Sequence, residues 1–296
     1  MIENPYGQST GWLKGTLHVH TSNSPCGHYP VKDVVDIYAD SILNYDFIAI
    51  TDHRVLTDIS EFTNDKRIVV FSGVEYKNEY FQTLGINVNH YEDNEFDFDN
   101  HNQLFGAVSA QGGFNIICHP HIYTDDYWPT DRLLALEGYQ GIEIFNNNMK
   151  MNNSGRAVAT DVWDEVLSSG RVVWGFAGDD MHHFSRLGGA FLMVQTSMKT
   201  KTGIEEAVLN GRFYCSTGVY FTDLRVEAQT ISVRIDPISG RSGIVRFIGN
   251  DGKLLFEESN QEMVSYHVDC QISYVRVEVI RADGAMGWSQ PFFIHR

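Results

Sequence analysis

Short apolar segments alternate with longer segments of mixed apolar and polar residues along the first 218 residues. Several of the short segments are almost continuously apolar, which is typical of parallel strands buried on both faces. We predict strands at residues 13–20, 47–51, 68–74, 114–118, 141–145, 172–177 and 190–195. The mixed segments predict helices at residues 31–43, 102–111, 131–137, 157–168 and 203–210. Alternation of strands and helices in turn predicts a parallel sheet.

A closed barrel agrees with this sequence better than an open sheet does. An open doubly wound sheet usually has a glycine-rich phosphate-binding loop after an early strand, but the sequence contains neither GxGxxG nor GxxxxGK[ST]. The pattern changes after Gly218, where short alternating segments at 230–235, 243–248, 253–258 and 273–280 are separated by turn residues such as Gly240 and Asp283-Gly284. We therefore predict a β/α barrel over residues 1–218 and a small antiparallel β domain over residues 219–296.

The bulk composition narrows the classes of partner. Hydrophobic residues make up 43% of the chain and charged residues 20%, as in ordinary globular proteins, and no apolar segment reaches the ~18–20 residues of a membrane span. The first residues lack the pattern of a secretory signal, so we expect a cytoplasmic protein without membrane contact. A net charge of −16 argues against binding a nucleic acid polymer, which needs Lys and Arg contacts to phosphate. The negative net charge does not argue against a small anionic substrate, since bound divalent cations reverse the local sign of charge.

The four cysteines, Cys26, Cys118, Cys215 and Cys270, are widely spaced and form no CxxC pair. This spacing argues against a disulfide framework and against a structural zinc site of the cysteine type. Cys118 lies inside an apolar segment, so we interpret it as a small core residue.

Almost every predicted strand is followed by side chains of the types that bind metal ions. They occur in the segments His18-Val19-His20, Asp52-His53, Glu75, His119-Pro120-His121, Asn146 and Asp179-Asp180-Met181-His182-His183. Side chains alternate along a strand, so His18 and His20 project the same way and can bind one cation. The carboxyl ends of barrel strands meet at one mouth, where barrel enzymes place their active sites. Each motif alone is weak, but their joint occurrence at successive strand ends predicts a metal centre.

Five of these segments resemble, in order, the motif series of the PHP (polymerase and histidinol phosphatase) metallophosphoesterases. They read His18-Val19-His20-Thr21, Thr51-Asp52-His53, Gly73-Val74-Glu75, Cys118-His119-Pro120-His121 and Gly178-Asp179-Asp180-Met181-His182. The resemblance covers roughly residues 11–189, and the β domain with the segment 211–218 before it resembles the CehA/McbA-like branch. It implies a distorted (β/α)7 TIM-like barrel that holds two or three divalent metal ions, which would be Zn, Fe or Mn.

The resemblance also implies which residues bind each cation. The first cation would be held by two histidines, a glutamate and an aspartate, the glutamate would bridge to a second cation, and further histidines would complete the second and third sites. In that order these residues are His18, His20, Glu75 and Asp180 for the first cation, His119 for the second, and His53 and His182 for the third.

The sequence departs from the family pattern at two positions. In related motifs the segment after HxHT supplies a further ligand of the third cation, whereas Ser24-Pro25-Cys26-Gly27-His28 places Cys26 there. A thiolate suits zinc or iron and suits manganese poorly, so either Cys26 is an unusual ligand or the protein is binuclear. Asn146 stands where some members have a histidine ligand, and it can offer only a carbonyl oxygen or a hydrogen bond to substrate.

Five further residues are candidates for the chemistry. Cations that activate a water make a Ser or Cys nucleophile unnecessary, and the sequence has no GxSxG segment. Asp52 either orients a ligand histidine or caps the loop after its strand. His121 and His183 are candidates for protonating the leaving group. Arg54 and Arg186 flank the ligand segments and either clamp an anionic group or form ordinary surface salt bridges.

The favoured function is hydrolysis of a small phosphorylated metabolite, with nucleotides among the candidates, by a metal-activated water. The main alternative is metal-dependent hydrolysis of an ester, carbamate or amide, which follows from the CehA/McbA-like resemblance. A third alternative is a non-enzymatic metal-binding or sugar-binding module built around residues 219–296. A site that the side chains of Arg54 and Arg186 reach favours a phosphorylated substrate, whereas an apolar mouth favours a neutral ester.

Overall fold

The computed structural model of the protein describes residues 1–7, 11–78, 81–93, 100–268 and 271–295, so that Cys270 lies outside the described residues. The helices in this part are α1 (Val31–Ala39), α2 (His101–Ala110), α3 (Thr130–Ala135), α4 (Asn147–Asn152), α5 (Thr160–Ser168), α6 (Lys201–Leu209) and α7 (Pro237–Ser242). Each of the predicted helices is present, with ends displaced by a few residues. None of the helices described is both long and apolar enough to cross a membrane.

Ten strands lie in the described part of the first 218 residues, and helices α1 to α6 lie between some of them. They are β1 (Ile2–Glu3), β2 (Trp12–Thr16), β3 (Phe47–Ile50), β4 (Val69–Lys77), β5 (Gln82–Ile86), β6 (Phe114–Ile117), β7 (Gly141–Asn146), β8 (Trp174–Gly178), β9 (Phe191–Gln195) and β10 (Phe213–Ser216). Strands β2, β3 and β4 pair in parallel, and so do β6, β7 and β8. The almost continuously apolar strand β3 is buried at all four positions, as expected of a strand covered on both faces.

Two strands differ from the predicted parallel sheet. Strand β5, which the apolar pattern does not predict, lies between β4 and β6 and pairs antiparallel with both. Its sequence, Gln82-Thr83-Leu84-Gly85-Ile86, has too few apolar residues in succession to stand out. Strand β9 is present where it is predicted, but it pairs antiparallel with β2. The fold is therefore mixed α/β, with one large sheet that has parallel and antiparallel parts.

The segments after β2 and β8 lie side by side at the carboxyl ends of the parallel strands. An isolated parallel bridge joins Val19 to Met181, and the backbone N–H of His20 donates to the Met181 carbonyl oxygen at 2.9 Å. A second isolated parallel bridge joins His53 to Glu75. These contacts bring predicted ligand segments from four strands to one end of the sheet. Complete closure of the sheet into a barrel stays a prediction.

The C-terminal strands pair antiparallel, in agreement with the prediction for this region. They are β11 (Phe221–Glu227), β12 (Thr230–Ile235), β13 (Gly243–Gly249), β14 (Lys253–Ser259), β15 (Met263–His267), β16 (Tyr274–Arg281), β17 (Met286–Ser289) and β18 (Phe292–Ile294). Strands β11, β12 and β15 form a separate sheet, whereas β17 pairs with β10 and so extends the large sheet into this region. Ile2 and Tyr6 pack in the core of these strands, which places the start of the chain against them. A domain boundary at residue 218 stays a prediction.

A buried ion pair links helix α5 to strand β16. Asp164 accepts hydrogen bonds from Arg276 Nε at 2.7 Å, from Arg276 Nη2 at 2.6 Å and from the Tyr274 hydroxyl at 2.9 Å. The two charged side chains are only 3% and 2% exposed. Because both charges have been withdrawn from water, Asp164 depends on Arg276 for compensation, while the guanidinium also has Glu278 Oε2 at 3.7 Å from its Nη1.

Candidate metal centre

The seven side chains predicted to bind metal ions form one cluster at the carboxyl ends of the parallel strands, in which five are buried and His53 and His182 are partly buried. Their potential ligand atoms form three overlapping groups, and within each group all atoms lie within 4.8 Å of one another. The first group contains His18, His20, Glu75 and Asp180; the second contains His18, Glu75, Cys118 and His119; the third contains His20, His53 and His182. His18, His20 and Glu75 are shared between groups, so the three groups lie side by side.

Glu75 lies at the centre of the cluster and faces different histidines with its two carboxylate oxygens. The first oxygen, Oε2, lies 3.2 Å from His18 Nε2, 3.1 Å from His20 Nε2 and 3.0 Å from His53 Nδ1. The other oxygen, Oε1, lies 3.3 Å from His119 Nε2. Glu75 would therefore be a ligand in both groups that contain it, if metal ions were bound there.

Asp180 is the second acid of the cluster. Its Oδ1 lies 3.3 Å from His18 Nε2, 3.2 Å from His20 Nε2 and 3.3 Å from His182 Nδ1. Its Oδ2 accepts a hydrogen bond from Asn146 Nδ2 at 3.1 Å. The amide therefore orients the carboxylate and leaves Oδ1 for the cluster. Asn146 Oδ1 accepts from a backbone N–H of helix α4, so the structure gives this asparagine an orienting contact with a predicted ligand.

Several polar atoms of the cluster are buried without a hydrogen-bond partner. They are His20 Nε2, His53 Nδ1, His119 Nδ1 and Asp180 Oδ1. Such atoms are rare in folded proteins, because a buried polar atom without a partner costs about 1–3 kcal/mol. Imidazole nitrogens and carboxylate oxygens that lie side by side without hydrogen bonds are the donor set of protein sites for divalent transition metals. The residues present therefore fit a centre for divalent metal ions.

Hydrogen bonds set the tautomers of His18 and His20. His18 Nδ1 lies 2.7 Å from Glu143 Oε1, and an ionised carboxylate only accepts, so Nδ1 carries the proton. Ser24 Oγ donates to Asp52 Oδ1 at 2.7 Å and therefore accepts from His20 Nδ1 at 3.0 Å. In their neutral forms both imidazoles turn an unprotonated Nε2 towards the cluster, which is the form that binds metal ions.

Glu143 is a functional residue that the sequence analysis misses. Besides its contact with His18, it accepts hydrogen bonds at Oε2 from the His119 backbone N–H at 3.0 Å and from Asn146 Nδ2 at 3.2 Å. Its side chain is 2% exposed. The available signal is a charged residue inside the otherwise apolar strand β7, because a buried carboxylate needs donors around it.

We expect Glu143→Gln to weaken the binding of divalent metal ions by about 10- to 100-fold. All the groups around the carboxylate are donors, so the NH₂ of a glutamine amide must oppose one of them. Where it opposes His18, the imidazole moves its proton to Nε2 and loses the lone pair that faces the cluster. Titration of the metal-free protein with Zn²⁺ against a competing chelator measures the affinity, and Glu206→Gln on the exposed face of α6 is the matched control. Equal affinities in all three proteins would show that Glu143 does not position His18.

Asp52 contacts the loop after β2 and is linked to two of the predicted ligand histidines through Ser24. The carboxylate accepts hydrogen bonds from the Thr21 backbone N–H at 2.7 Å and from the Thr21 hydroxyl at 2.6 Å, which tie the loops after β2 and β3 together. In the described part of the chain it reaches the ligands through Ser24, whose Oγ donates to Asp52 and accepts from His20 Nδ1 and from the His53 backbone N–H at 2.9 Å.

Three buried carboxylates, those of Asp180, Glu143 and Glu75, make the cluster a site for positive charge. Burial opposes protonation of His18, but these charges outweigh it and raise the pKa of His18 well above its usual value. Burial also opposes ionisation of Glu75, but the neighbouring His53 and His18 hold the pKa of this carboxyl well below its usual range. At His53 burial dominates and lowers the pKa to about 4, so this imidazole is neutral at pH 7. Metal binding therefore displaces protons from part of the cluster.

Two of the predicted ligands adopt backbone conformations that residues other than glycine rarely adopt. The φ angle is +26° at His119 and +47° at Asp180. Such conformations cost about 1–3 kcal/mol each and are concentrated at functional sites. The strain supports a functional reason for the placement of these two side chains.

A cavity of about 360 Å³ opens beside the cluster. Its wall includes five of the predicted ligands, which are His53, Glu75, His119, Asp180 and His182. The volume lies in the range of sites for small molecules. Two cations, Lys77 and Arg186, also line the cavity.

The guanidinium of Arg186 is held in place by neutral oxygens. Its Nε donates to Asn148 Oδ1 at 3.3 Å, its Nη1 donates to Ser185 Oγ at 2.8 Å, and its Nη2 donates to Asn152 Oδ1. Among the residues that the structure describes, neither Arg186 nor Lys77 has an acidic partner at ion-pair distance. Both charges are therefore uncompensated within the described part of the chain, although the protein has 38 acidic and only 22 basic residues.

Of the two histidines predicted to protonate the leaving group, only His183 lines the cavity. Its Nδ1 accepts from the Ser185 backbone N–H at 3.2 Å, so the neutral ring carries its proton on Nε2. His121 is buried in a different network, where Nδ1 lies 2.6 Å from the Asp125 carbonyl oxygen and Nε2 lies 3.1 Å from Asp161 Oδ1. These contacts engage both ring nitrogens of His121 away from the cavity wall.

Arg54 is likewise outside the set of described residues that line the cavity. Its side chain is exposed, and its Nε donates to the Lys77 carbonyl oxygen at 2.6 Å. The structure thus gives Arg54 a contact with strand β4 and places Lys77, which the sequence analysis does not single out, on the cavity wall.

Cys118 is fully buried in the main core, as its interpretation as a core residue requires. Its Sγ also belongs to a ligand group with His18, Glu75 and His119. Burial, reinforced by the nearby carboxylates, raises the pKa of the Cys118 thiol well above its usual value. The thiol is therefore protonated at neutral pH and packs as a small apolar group next to the cluster.

We expect Cys26→Ser to keep the metal content of the wild-type protein. Cys26 is exposed and lines the cavity, but it belongs to none of the ligand groups formed by the described residues. Elemental analysis of the two proteins, purified side by side, measures the difference. A loss of about one cation per chain in the variant would make Cys26 a ligand.

A search of known structures finds a likeness that spans the chain. The fold is similar to the crystal structure of a two-domain protein containing a predicted PHP-like metal-dependent phosphoesterase from Bacteroides vulgatus, with a TM-score of 0.55 and 16% identity over 98% of each chain. No family model and no curated protein matches the sequence. At this identity the likeness shows similarity of fold alone, and the cluster described above adds a set of His, Glu and Asp side chains that fits divalent metal ions.

Proposed function

We propose that the protein is a metal-dependent phosphoesterase that hydrolyses a small phosphorylated metabolite. The proposal rests on the lining of the cavity, where predicted metal ligands lie beside Lys77 and Arg186. These two side chains are cations without acidic partners in the described part of the chain. Such cations next to a metal centre favour an anionic substrate, because a neutral ester has no negative charge with which they could form an ion pair. The similar structure, a predicted PHP-like metal-dependent phosphoesterase, supports the same class of reaction.

The reaction is displacement at phosphorus by water. Divalent cations, when bound, supply Lewis acidity at the phosphoryl group and make a water more acidic. The water oxygen forms a bond to phosphorus while the bond between phosphorus and the ester oxygen breaks. The water loses a proton and the ester oxygen gains one, so the products are an alcohol and inorganic phosphate.

The residues of the cavity wall bind the substrate and move the proton. Arg186, oriented by its amide partners, would donate to phosphoryl oxygens, and Lys77 would add a second positive charge. His183 in its imidazolium form is our candidate for protonating the ester oxygen through Nε2, since its Nδ1 lies against Ser185. Glu143 and Ser24 would keep His18 and His20 in the tautomers that bind metal ions.

A substrate screen with defined metal content tests the proposal. The protein would be analysed for bound metals and reconstituted separately with Zn²⁺, Mn²⁺ and Fe²⁺. It would then be assayed with phosphomonoesters that include mononucleotides, phosphodiesters, aryl esters and carbamates. We expect hydrolysis of phosphomonoesters that a chelator abolishes and added metal restores.

An arginine variant separates substrate binding from metal binding. Arg186→Met is expected to lower kcat/KM for phosphate esters by about 10- to 100-fold, because a charge-assisted hydrogen bond contributes about 1.5–3 kcal/mol, while metal content stays unchanged. Arg241→Met, on the exposed helix α7, is the control. Hydrolysis of neutral esters or carbamates without phosphoesterase activity would overturn the proposal in favour of the alternative hydrolase. Unchanged kcat/KM in Arg186→Met would show that this cation does not bind the substrate.

A further inference from the structure

Tyr123 is an aromatic residue on the rim of the cavity, and the proposed reaction gives it no role. Its side chain is 67% exposed although it lines the cavity. Its backbone has a φ angle of +63°, in the left-handed region that large residues rarely adopt. An exposed aromatic ring in a strained conformation beside a candidate active site needs a reason that core packing does not supply.

The strain at Tyr123 is imposed by contacts of the neighbouring backbone. Ile122 forms an isolated antiparallel bridge with Gly155, and the Tyr123 backbone N–H donates to the Ser154 carbonyl oxygen at 2.7 Å. Gly155 itself has a φ angle of +142°, and a Cβ atom there would lie 2.1 Å from the His121 carbonyl oxygen. Only glycine permits this approach of the two loops, so the loop position that presents Tyr123 is built into the scaffold.

A row of rings connects the candidate metal centre to Tyr123. The centroid of the Tyr127 ring lies 6.2 Å from that of His119 and 6.2 Å from that of Tyr123. The Tyr127 hydroxyl accepts a hydrogen bond from Gln82 Nε2 at 3.0 Å, which holds the middle ring of the row. His119 and Tyr123, the two ends of this row, both line the cavity, so a substrate whose phosphoryl group lies at the cluster can extend its leaving group along the cavity towards Tyr123.

The chemistry of the wall selects a flat leaving group. Among the described residues that line the cavity, Ile122 and Tyr123 are the large apolar ones, and they are adjacent in the chain. An aliphatic group would need apolar surroundings on several sides, whereas a flat ring is stabilised by one aromatic face. A single exposed tyrosine beside polar neighbours suits stacking of such a ring.

We propose that Tyr123 stacks on an aromatic ring in the leaving group, so that the substrate class is a phosphomonoester of an alcohol that carries a flat ring, such as an arylalkyl alcohol or a nucleoside. The inference rests on the proposed phosphoesterase function and adds a residue that determines specificity. Tyr123 takes no part in the bond changes at phosphorus.

A pair of matched esters tests the stacking contact in the metal-loaded protein. Benzyl phosphate and cyclohexylmethyl phosphate both release a primary alcohol, and they differ in whether the ring is flat. We expect kcat/KM of the wild-type protein to favour benzyl phosphate by about three- to tenfold. Tyr123→Ala should bring the ratio of the two kcat/KM values close to one, while Tyr123→Phe should keep it, and metal content should be the same in all three proteins.

A binding measurement separates this inference from the proposed function. Calorimetric titration with benzylphosphonate and cyclohexylmethylphosphonate, which are not hydrolysed, should show the same preference for the flat ring and the same loss in Tyr123→Ala. Hydrolysis of both esters with a ratio that Tyr123→Ala leaves unchanged would overturn the role of Tyr123 and leave the phosphoesterase function standing. Absence of phosphomonoester hydrolysis together with absence of phosphonate binding would overturn both.

Discussion

The Glu75→Gln variant is expected to lose at least about a thousandfold in kcat/KM, or about 4 kcal/mol of transition-state stabilisation, while it keeps its fold. Glutamine preserves the size of the side chain but removes its negative charge. In the wild-type protein that charge faces three histidines through Oε2 and His119 through Oε1. A neutral amide offers one weak oxygen ligand in place of two charged ones, so we expect the metal content to fall as well.

The fold and the metal content are measured separately from turnover for this variant. Circular dichroism and thermal unfolding of the metal-free proteins check the fold, and elemental analysis checks the metal. Glu206→Gln, an isosteric change at an exposed position of α6, should behave as wild type in every measurement. Wild-type turnover and wild-type metal content in Glu75→Gln would show that the Glu75 carboxylate does not hold the metal ions.

The sequence marks locally each of the seven side chains that the structure brings together in the cluster. Each predicted ligand lies at or near the end of a predicted strand, and the spacing of His18 and His20 already places both side chains on one side of a strand. The partners that orient these ligands are not marked in this way. Glu143 lies 125 positions from His18 along the chain, and no spacing rule connects the two. Their contact exists only because β2 and β7 end at the same face of the fold.

The strands are predictable for a similar local reason, and their partners are not. The C-terminal strand β12 begins and ends where the alternating pattern predicts it. The partner of a strand depends on the path of the whole chain, which explains why β9 is predicted as a strand but its antiparallel pairing with β2 is not. Strand β5 is not predicted at all, because its short segment with Gln, Thr and Gly has no clear apolar pattern. Its burial comes from the two strands that flank it.

The ion pair between Asp164 and Arg276 has no signal in the sequence, since one residue lies on a helix and the other on a strand 112 positions away. Its energetics follow from burial. An exposed pair contributes about 0–1 kcal/mol, because water screens the charges and competes for them. A buried pair costs desolvation on both sides, and removal of one partner leaves the other charge buried without compensation.

We therefore expect Asp164→Ala to lower the free energy of unfolding by about 3–5 kcal/mol, because the Arg276 guanidinium would stay buried without the carboxylate that receives two of its hydrogen bonds. Urea-induced unfolding followed by fluorescence measures the change. The double variant Asp164→Ala/Arg276→Met should recover part of the loss, since it removes the orphaned charge. Glu206→Ala, which breaks an exposed pair with Arg212, should cost no more than about 1 kcal/mol. A loss in Asp164→Ala as small as in Glu206→Ala would mean that water reaches the guanidinium and that this pair does not fasten helix α5 to strand β16.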